Sequence, residues 1–185
     1  MKMPRAMLYA LLTLLFSGSL IGQEGSVVSS VRAEDLLASP VGANWTSYNG
    51  DYTGRRYSSL REINPANVQQ LRAAWVFHPG NSQNLEATPL VVKGVMFVTS
   101  ANDVFALDAR TGRQLWHYNR PASSGLLDDA ASHKNRGVAV WKYSVFVETD
   151  DAHLVSLDAG SGGLLWTLNT PTRLSTTERP EPRWW

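Results

Sequence analysis

The 185-residue sequence contains no cysteine. That absence removes a disulfide framework, a thiolate zinc site and a cysteine nucleophile together. Charge is scarce and nearly balanced, with 17 Lys plus Arg against 16 Asp plus Glu, a net charge of +1 and 18% charged residues. Nucleic-acid binding needs a basic face or stripe, and this balance gives no case for one. There is no Gly-rich phosphate loop and no Gly-x-Ser-x-Gly elbow, and His78, His117, His133 and His153 lack metal-ligand spacing, so hydrolase and zinc classes drop out. What is present is 43% apolar residues with seven Trp, which argues against a mostly disordered chain.

Part of that apolar content reads as targeting rather than fold. Lys2 and Arg5 precede an uncharged run, Ala6 to Ile21, of 16 residues. A membrane span needs about 20 residues. Residues 1–23 are therefore expected to be a signal peptide, with an uncleaved N-terminal anchor as the alternative. Export without cysteine suggests a bacterial periplasm. Residues 24–43, carrying Ser26, Ser29, Ser30 and Pro40, are expected to form a loose lead-in.

The body repeats with a period of fifty. Phe105 to Asn119 aligns without gaps on Val155 to Asn169, with seven of fifteen positions identical, Leu107/157, Asp108/158, Gly112/162 and Trp116/166 among them. The same register upstream sets Leu90-Val91-Val92 against Val140-Trp141-Lys142 and Val95–Val98 against Val145–Glu148. Each repeat reads as short strands between turn residues. In the first, the strands are Pro89–Val92, Val95–Thr99, Val104–Leu107 and Gln114–Tyr118, with bends at Lys93-Gly94 and Asn102-Asp103. Asp108 to Gly112 and Asp158 to Gly162 carry turn chemistry: a carboxylate that accepts backbone N–H groups, and a Gly that tolerates positive φ.

Four strands in 40–50 residues mark a propeller blade. The predicted fold is all-β, a partial β-propeller of two four-stranded antiparallel blades over residues 44–169. Leu107 and Leu115 are expected to face neighbouring blades, and Trp116 and Trp166 to fill the seams as core. Upstream, Asn64-Pro65 predicts one helical turn through Gln70. Leu71–Phe77 then predicts a strand, with Trp75 as the equivalent tryptophan of an incomplete preceding blade. Periodicity stops at Asn169. Residues 170–185 are expected to be a disordered, non-propeller tail, with a frameshift or early stop as the expected origin, and the chain reads as the front end of a larger protein. Two blades alone leave so much seam open that a product that never folds stably is a further alternative.

The stretch Asn44 to Asn169 resembles the N-terminal part of the pyrroloquinoline quinone (PQQ)-dependent alcohol dehydrogenases. The likeness rests on Trp45 to Asp51, Arg56-Tyr57-Ser58, Ile63 to Val68, Glu86 to Val91, both tryptophan repeats and Asn135 to Val140. It implies an eight-bladed quinoprotein propeller and a periplasmic enzyme that oxidises primary alcohols or aldoses with PQQ and calcium. A cytochrome or quinone would accept the electrons. It also implies that Glu86 hydrogen-bonds the quinone, that Arg136 meets one of its carboxylates and that Thr149 also contacts it. A planar trianion suits a guanidinium fork and hydroxyl donors.

The sequence departs from that family in two ways. Ala130-Ala131 stand where many members carry a vicinal cysteine pair. The family's calcium ligands and catalytic aspartate lie beyond the point where register is lost, so no residue here is assigned to them, and inactivity in isolation is expected. Asp128, Asp129, Asp150 and Asp151 read as turn residues before metal ligands. Whether the complete protein is membrane-associated is not legible. A non-enzymatic propeller acting as an envelope scaffold is the competing reading.

Overall fold

The computed structural model describes residues 30–80, 85–125 and 134–170. The expected signal peptide, Asp128, Asp129, Ala130, Ala131 and His133, and all of the expected tail beyond Thr170 lie outside the described residues. Among the described residues no helix is long and apolar enough to cross a membrane.

Two four-stranded antiparallel sheets follow one another along the chain. The first blade is β1 (Leu90–Val92), β2 (Val95–Ser100), β3 (Asp103–Asp108) and β4 (Gln114–Asn119). The second is β5 (Ala139–Trp141), β6 (Ser144–Glu148), β7 (His153–Asp158) and β8 (Leu164–Asn169). Each is a plain meander in which every strand pairs with its sequence neighbour. In the first blade the four expected strands are present within a residue at each end, and Asp103 belongs to a strand rather than to the bend.

The tryptophans lock the blades as their apolar bulk and single donor require. Trp116 is 8% exposed and its indole N–H donates to the Ala159 carbonyl at 3.0 Å. Gly162 lies beneath that ring at φ +72°, and a Cβ there would approach the indole to 2.6 Å. Trp75 docks in the same way on the first blade, donating to the Ala109 carbonyl at 3.3 Å over Gly112. The Asp-x-x-Thr/Ser-Gly turn builds this seat. Asp108 Oδ1 accepts the N–H groups of Arg110 and Thr111 together with the Thr111 hydroxyl, and Asp158 does the same with Gly160 and Ser161.

Between the blades lies the main core. Leu90, Val92, Phe97, Val104, Ala106 and Trp116 of the first pack with Val145, Val147, Val155 and Leu157 of the second. The other face of the first blade, Val98, Phe105 and Leu107, is covered by Trp75 and Phe77. Leu107 thus faces the leading segment, and its counterpart Leu157 faces the first blade. Leu115, expected in a seam, is 38% exposed.

The strand pairing corrects the upstream register. Leu90 pairs with Phe97 and Ala139 with Phe146, while Phe97 pairs with Ala106 and Phe146 with Ser156. Phe97 therefore corresponds to Phe146, not Val147, and the first two strands of each blade are offset by 49 residues although the last two keep 50. The extra residue sits in the second blade's β6–β7 hairpin. There the Thr149 N–H donates to the His153 carbonyl across Asp150-Asp151-Ala152, whereas only Ala101-Asn102 separates β2 from β3. Ala152 adopts φ 56°, the left-handed residue that closes a three-residue hairpin loop. A slip of one residue exchanges the faces of a strand, which is why Val145 and Val147 meet the first blade while Phe146 turns away.

Two further expectations change. Leu71–Phe77 forms no strand; it runs irregularly after a 3-10 turn, Val68–Gln70, and is held by its aromatic side chains. Asn64 Oδ1 does accept the Ala66 N–H, as the Asn-Pro signal requires. Nor are residues 30–43 unpacked. Val31 is fully buried and bridges Lys142, α1 (Ala33–Leu37) follows, and Trp45 bridges Val91 at the free edge of β1. Thr170 is likewise anchored, its hydroxyl donating to the Ala152 carbonyl at 2.7 Å.

Candidate functional site

At one end of the seam the β2–β3 and β6–β7 hairpins and the irregular segment leading into β5 enclose an open pocket of about 440 Å³. Asn102, Lys134, Asn135, Arg136, Gly137, Thr149 and Asp150 are among its lining residues. The one-residue insertion therefore falls in the loop that shapes the pocket.

The Asn135-Arg136-Gly137 stretch is held from both sides. The Asn135 amide donates to the Glu148 carbonyl at 3.0 Å, and its oxygen accepts the Gly137 N–H at 2.9 Å. The Arg136 carbonyl accepts the Thr88 N–H at 3.3 Å. Gly137 lies at φ 122°, where a Cβ would come within 3.0 Å of the Thr88 oxygen, so glycine permits the close passage of these two backbones. With its backbone pinned, Arg136 presents a guanidinium that is 74% exposed.

Glu86 joins this group through ion pairs. Lys134 Nζ is 2.7 Å from one of its carboxylate oxygens and Arg136 Nη2 is 3.6 Å from the other. The hydrogen bond and charge of Lys134, with a smaller pull from Arg136, hold the Glu86 carboxyl below the usual glutamate range against partial burial. Tyr48 of the leading segment belongs to the same neighbourhood. Its phenol pKa is lowered by hydrogen bonding with Thr88 and Arg56 and by the charges of Arg56 and Arg136, and the Arg56 guanidinium lies 4.9 Å above its ring.

Thr149 is buried, and its hydroxyl lies 2.5 Å from Asp151 Oδ1 and 3.2 Å from the His153 carbonyl. Its proton goes to one of these, which leaves the oxygen as an acceptor toward the pocket. Burial pushes the Asp151 carboxyl up, but the Arg120 hydrogen bond, the Thr149 hydroxyl and the Arg120 charge outweigh it and bring it down to about 2. Asp150 is drawn across the seam: its Oδ1 accepts from the Asn102 amide at 2.7 Å and from the Ser123 hydroxyl at 2.9 Å, and its N–H donates to Asn102 Oδ1 at 2.9 Å. Asp150 thus ties the two hairpins together, and Asp151 ties the second hairpin to Arg120, just after β4. Among the described residues no group of three His, Asp or Glu is placed to hold a metal ion.

Arg136 and Thr149, chosen from sequence, share one pocket, and Glu86 reaches it through Lys134 and Arg136. Sequence reasoning passed over Lys134, Asn102 and Tyr48. Lys134 carried a signal, a second cation two residues before Arg136. Asn102 carried none, because its partner Asp150 stands on the other blade. The donor set suits a polycarboxylate: an exposed guanidinium and an ammonium beside amide donors at the rim.

Comparison with known proteins bears on which ligand that is. Residues 45–170 match the family described as "PQQ: Glucose/ethanol/alcohol dehydrogenase, beta-propeller domain". The chain belongs to this family. Quinohemoprotein alcohol dehydrogenase of Comamonas testosteroni is 35% identical over 177 residues, covering 90% of this chain and 25% of that protein. 1-Butanol dehydrogenase (cytochrome c) of Thauera butanivorans is 41% identical over 132 residues, 70% of this chain and 19% of that protein. The solved quinohemoprotein alcohol dehydrogenase ADHIIG of Pseudomonas putida superposes with a TM-score of 0.70 at 35% identity, covering 78% of this chain and 22% of that one. The chain thus spans about a quarter or less of the length of these relatives. Two blades of a PQQ-family propeller, and the pocket at their hairpin ends, are what it contributes.

Proposed function

We propose that this chain supplies part of the PQQ cradle of an exported dehydrogenase that oxidises primary alcohols or aldoses. The observation that carries the reading is the gathering of Arg136 and Thr149, drawn from different elements, on one pocket at the hairpin ends of the seam. Arg136 offers a planar fork to a carboxylate of the cofactor. Thr149, fixed by Asp151, offers its oxygen to a donor, and Glu86 joins the cradle through its ion pairs with Lys134 and Arg136. When bound, the quinone supplies the two-electron acceptor for the alcohol, and the residues here bind and orient it. A metal such as calcium and the proton-accepting carboxylate would come from outside this chain, and a cytochrome or quinone would take the electrons, in keeping with the relative described as cytochrome c-linked. The apolar run Ala6–Ile21 behind Lys2 and Arg5 supports export to a periplasm.

With an incomplete cradle the isolated chain is expected to bind PQQ weakly and to turn nothing over. A dye-linked alcohol assay with PQQ and calcium should show no activity, and clear turnover would contradict this. Equilibrium titration with PQQ should saturate for the wild type and weaken about tenfold or more in Arg136→Ala. An envelope scaffold, the competing reading, would show no saturable binding and no effect of that substitution.

A further inference from the structure

Lys134 stands immediately before Asn135, on the pocket wall, with its side chain 39% exposed. Its ammonium and the Arg136 guanidinium share the two oxygens of Glu86, so the two cationic heads lie side by side at the pocket. Together with Glu86 they carry a net positive charge. An ammonium has three donors, and one contact to Glu86 leaves two for a ligand. Glu86, in contrast, has each oxygen facing a cation, so the quinone contact that the family resemblance implies for it competes with Lys134. Asp150, the acidic group on the facing hairpin, is engaged by Asn102 and Ser123. Glu148 is the remaining acid of the lining.

We propose that Lys134 is a second carboxylate-reading cation of this pocket, working beside Arg136, and that Glu86 acts as the positioning residue that holds its ammonium there. The ligand class is a planar polycarboxylate with acid groups spaced to meet both cations. The inference rests on the cofactor-cradle reading and deepens it by assigning the carboxylate contacts to Lys134 and Arg136 together. The role of Glu86 has a signature of its own. If that carboxylate only repelled an anionic ligand, removing its charge would tighten binding; if it positions Lys134, removing it weakens binding.

The test is equilibrium dialysis of the full chain against PQQ and, separately, against benzene-1,3,5-tricarboxylate, a carboxylate probe without a quinone. Lys134→Met should weaken PQQ binding about tenfold, while Lys134→Arg stays within about threefold of wild type. Lys142→Met, which removes a charge from the β5–β6 turn, should change nothing. Glu86→Gln should weaken binding about threefold, and the Glu86→Gln/Lys134→Met pair should be no worse than Lys134→Met alone. PQQ binding that survives Lys134→Met but is lost in Arg136→Ala overturns the proposal and leaves the cradle reading standing. Lys134-dependent binding of the tricarboxylate without PQQ binding supports the carboxylate site and overturns the quinone reading. Failure to bind either probe overturns both.

Discussion

The two blades are near copies, yet the first is covered on both faces and the second on one. Phe97 and Trp116 sit 5.8 Å apart with a 45° tilt, and their counterparts Phe146 and Trp166 sit 5.9 Å apart at 48°. The local geometry is the same. The surroundings are not: Trp116 is 8% exposed beneath the second blade, whereas Trp166 is 44% exposed, with Leu164 and Leu168 open beside it. A docking tryptophan is thus prepared by its own blade but stabilised by the turn of the next one, through the Gly platform and the carbonyl that takes its N–H. The lone faces of β8 are where another propeller blade would add most.

That contrast can be broken in measurable ways. Trp116→Ala should lower unfolding stability by about 3–5 kcal/mol in urea titration, whereas Trp166→Ala should cost under about 1 kcal/mol. Equal losses would mean that the second ring is covered after all. A slightly smaller effect is expected from the platform. Gly162→Ala should cost about 2–3 kcal/mol, since the new methyl meets the Trp116 ring at a positive φ, while Gly94→Ala, at a comparable φ in open space, should cost about 1 kcal/mol.

The hairpin staple gives a pH-dependent signature. The folded-state carboxyl of Asp151 lies below its ordinary value, at about 2, so its stabilising contribution is present above the ordinary aspartate range and is lost as pH falls through about 2. Acid titration of stability should show this loss in the wild type and a flatter profile in Asp151→Asn. The smallest effect belongs to the exposed face: Trp166→Ser should leave stability nearly unchanged and reduce self-association in sedimentation, because it removes apolar surface that the chain leaves uncovered.

How much was legible in the sequence follows from the same contrast. The strands, the turn chemistry and the tryptophan docking were readable because alternating apolar residues, Asp-x-x-Thr/Ser-Gly and Trp each have one dominant physical use. The 49-residue offset was not. Val145-Phe146-Val147 is apolar in either register, so one inserted residue in the β6–β7 loop leaves no trace in the pattern while exchanging the faces of β6. Composition also misled at residues 30–43, where Ser-rich, Pro-containing chain gains its order from two buried valines, Val31 and Val41, and the backbone bridge each one makes. Leu71–Phe77 has strand composition but pairs with no neighbour, so its aromatic side chains dock without a ladder.

The site was legible to the extent that its residues sit in local motifs. Asn135 and Gly137 fix the segment that carries Arg136 by one contact within the motif and one to the end of β6, and the motif shows them. Lys134 with Glu86, and Asn102 with Asp150, are pairings across 48 residues of sequence each. Only the seam brings them together.

The most direct test of the account is residue-resolved NMR of the labelled chain during titration with PQQ. The expected result is a set of shifts confined to residues 134–137, 148–152 and the Ala101-Asn102 bend, with the Arg136 side-chain N–H signals among the largest. Shifts centred instead on Trp166, Leu164 and Leu168, as for a flat aromatic molecule settling on an uncovered apolar face, would contradict it.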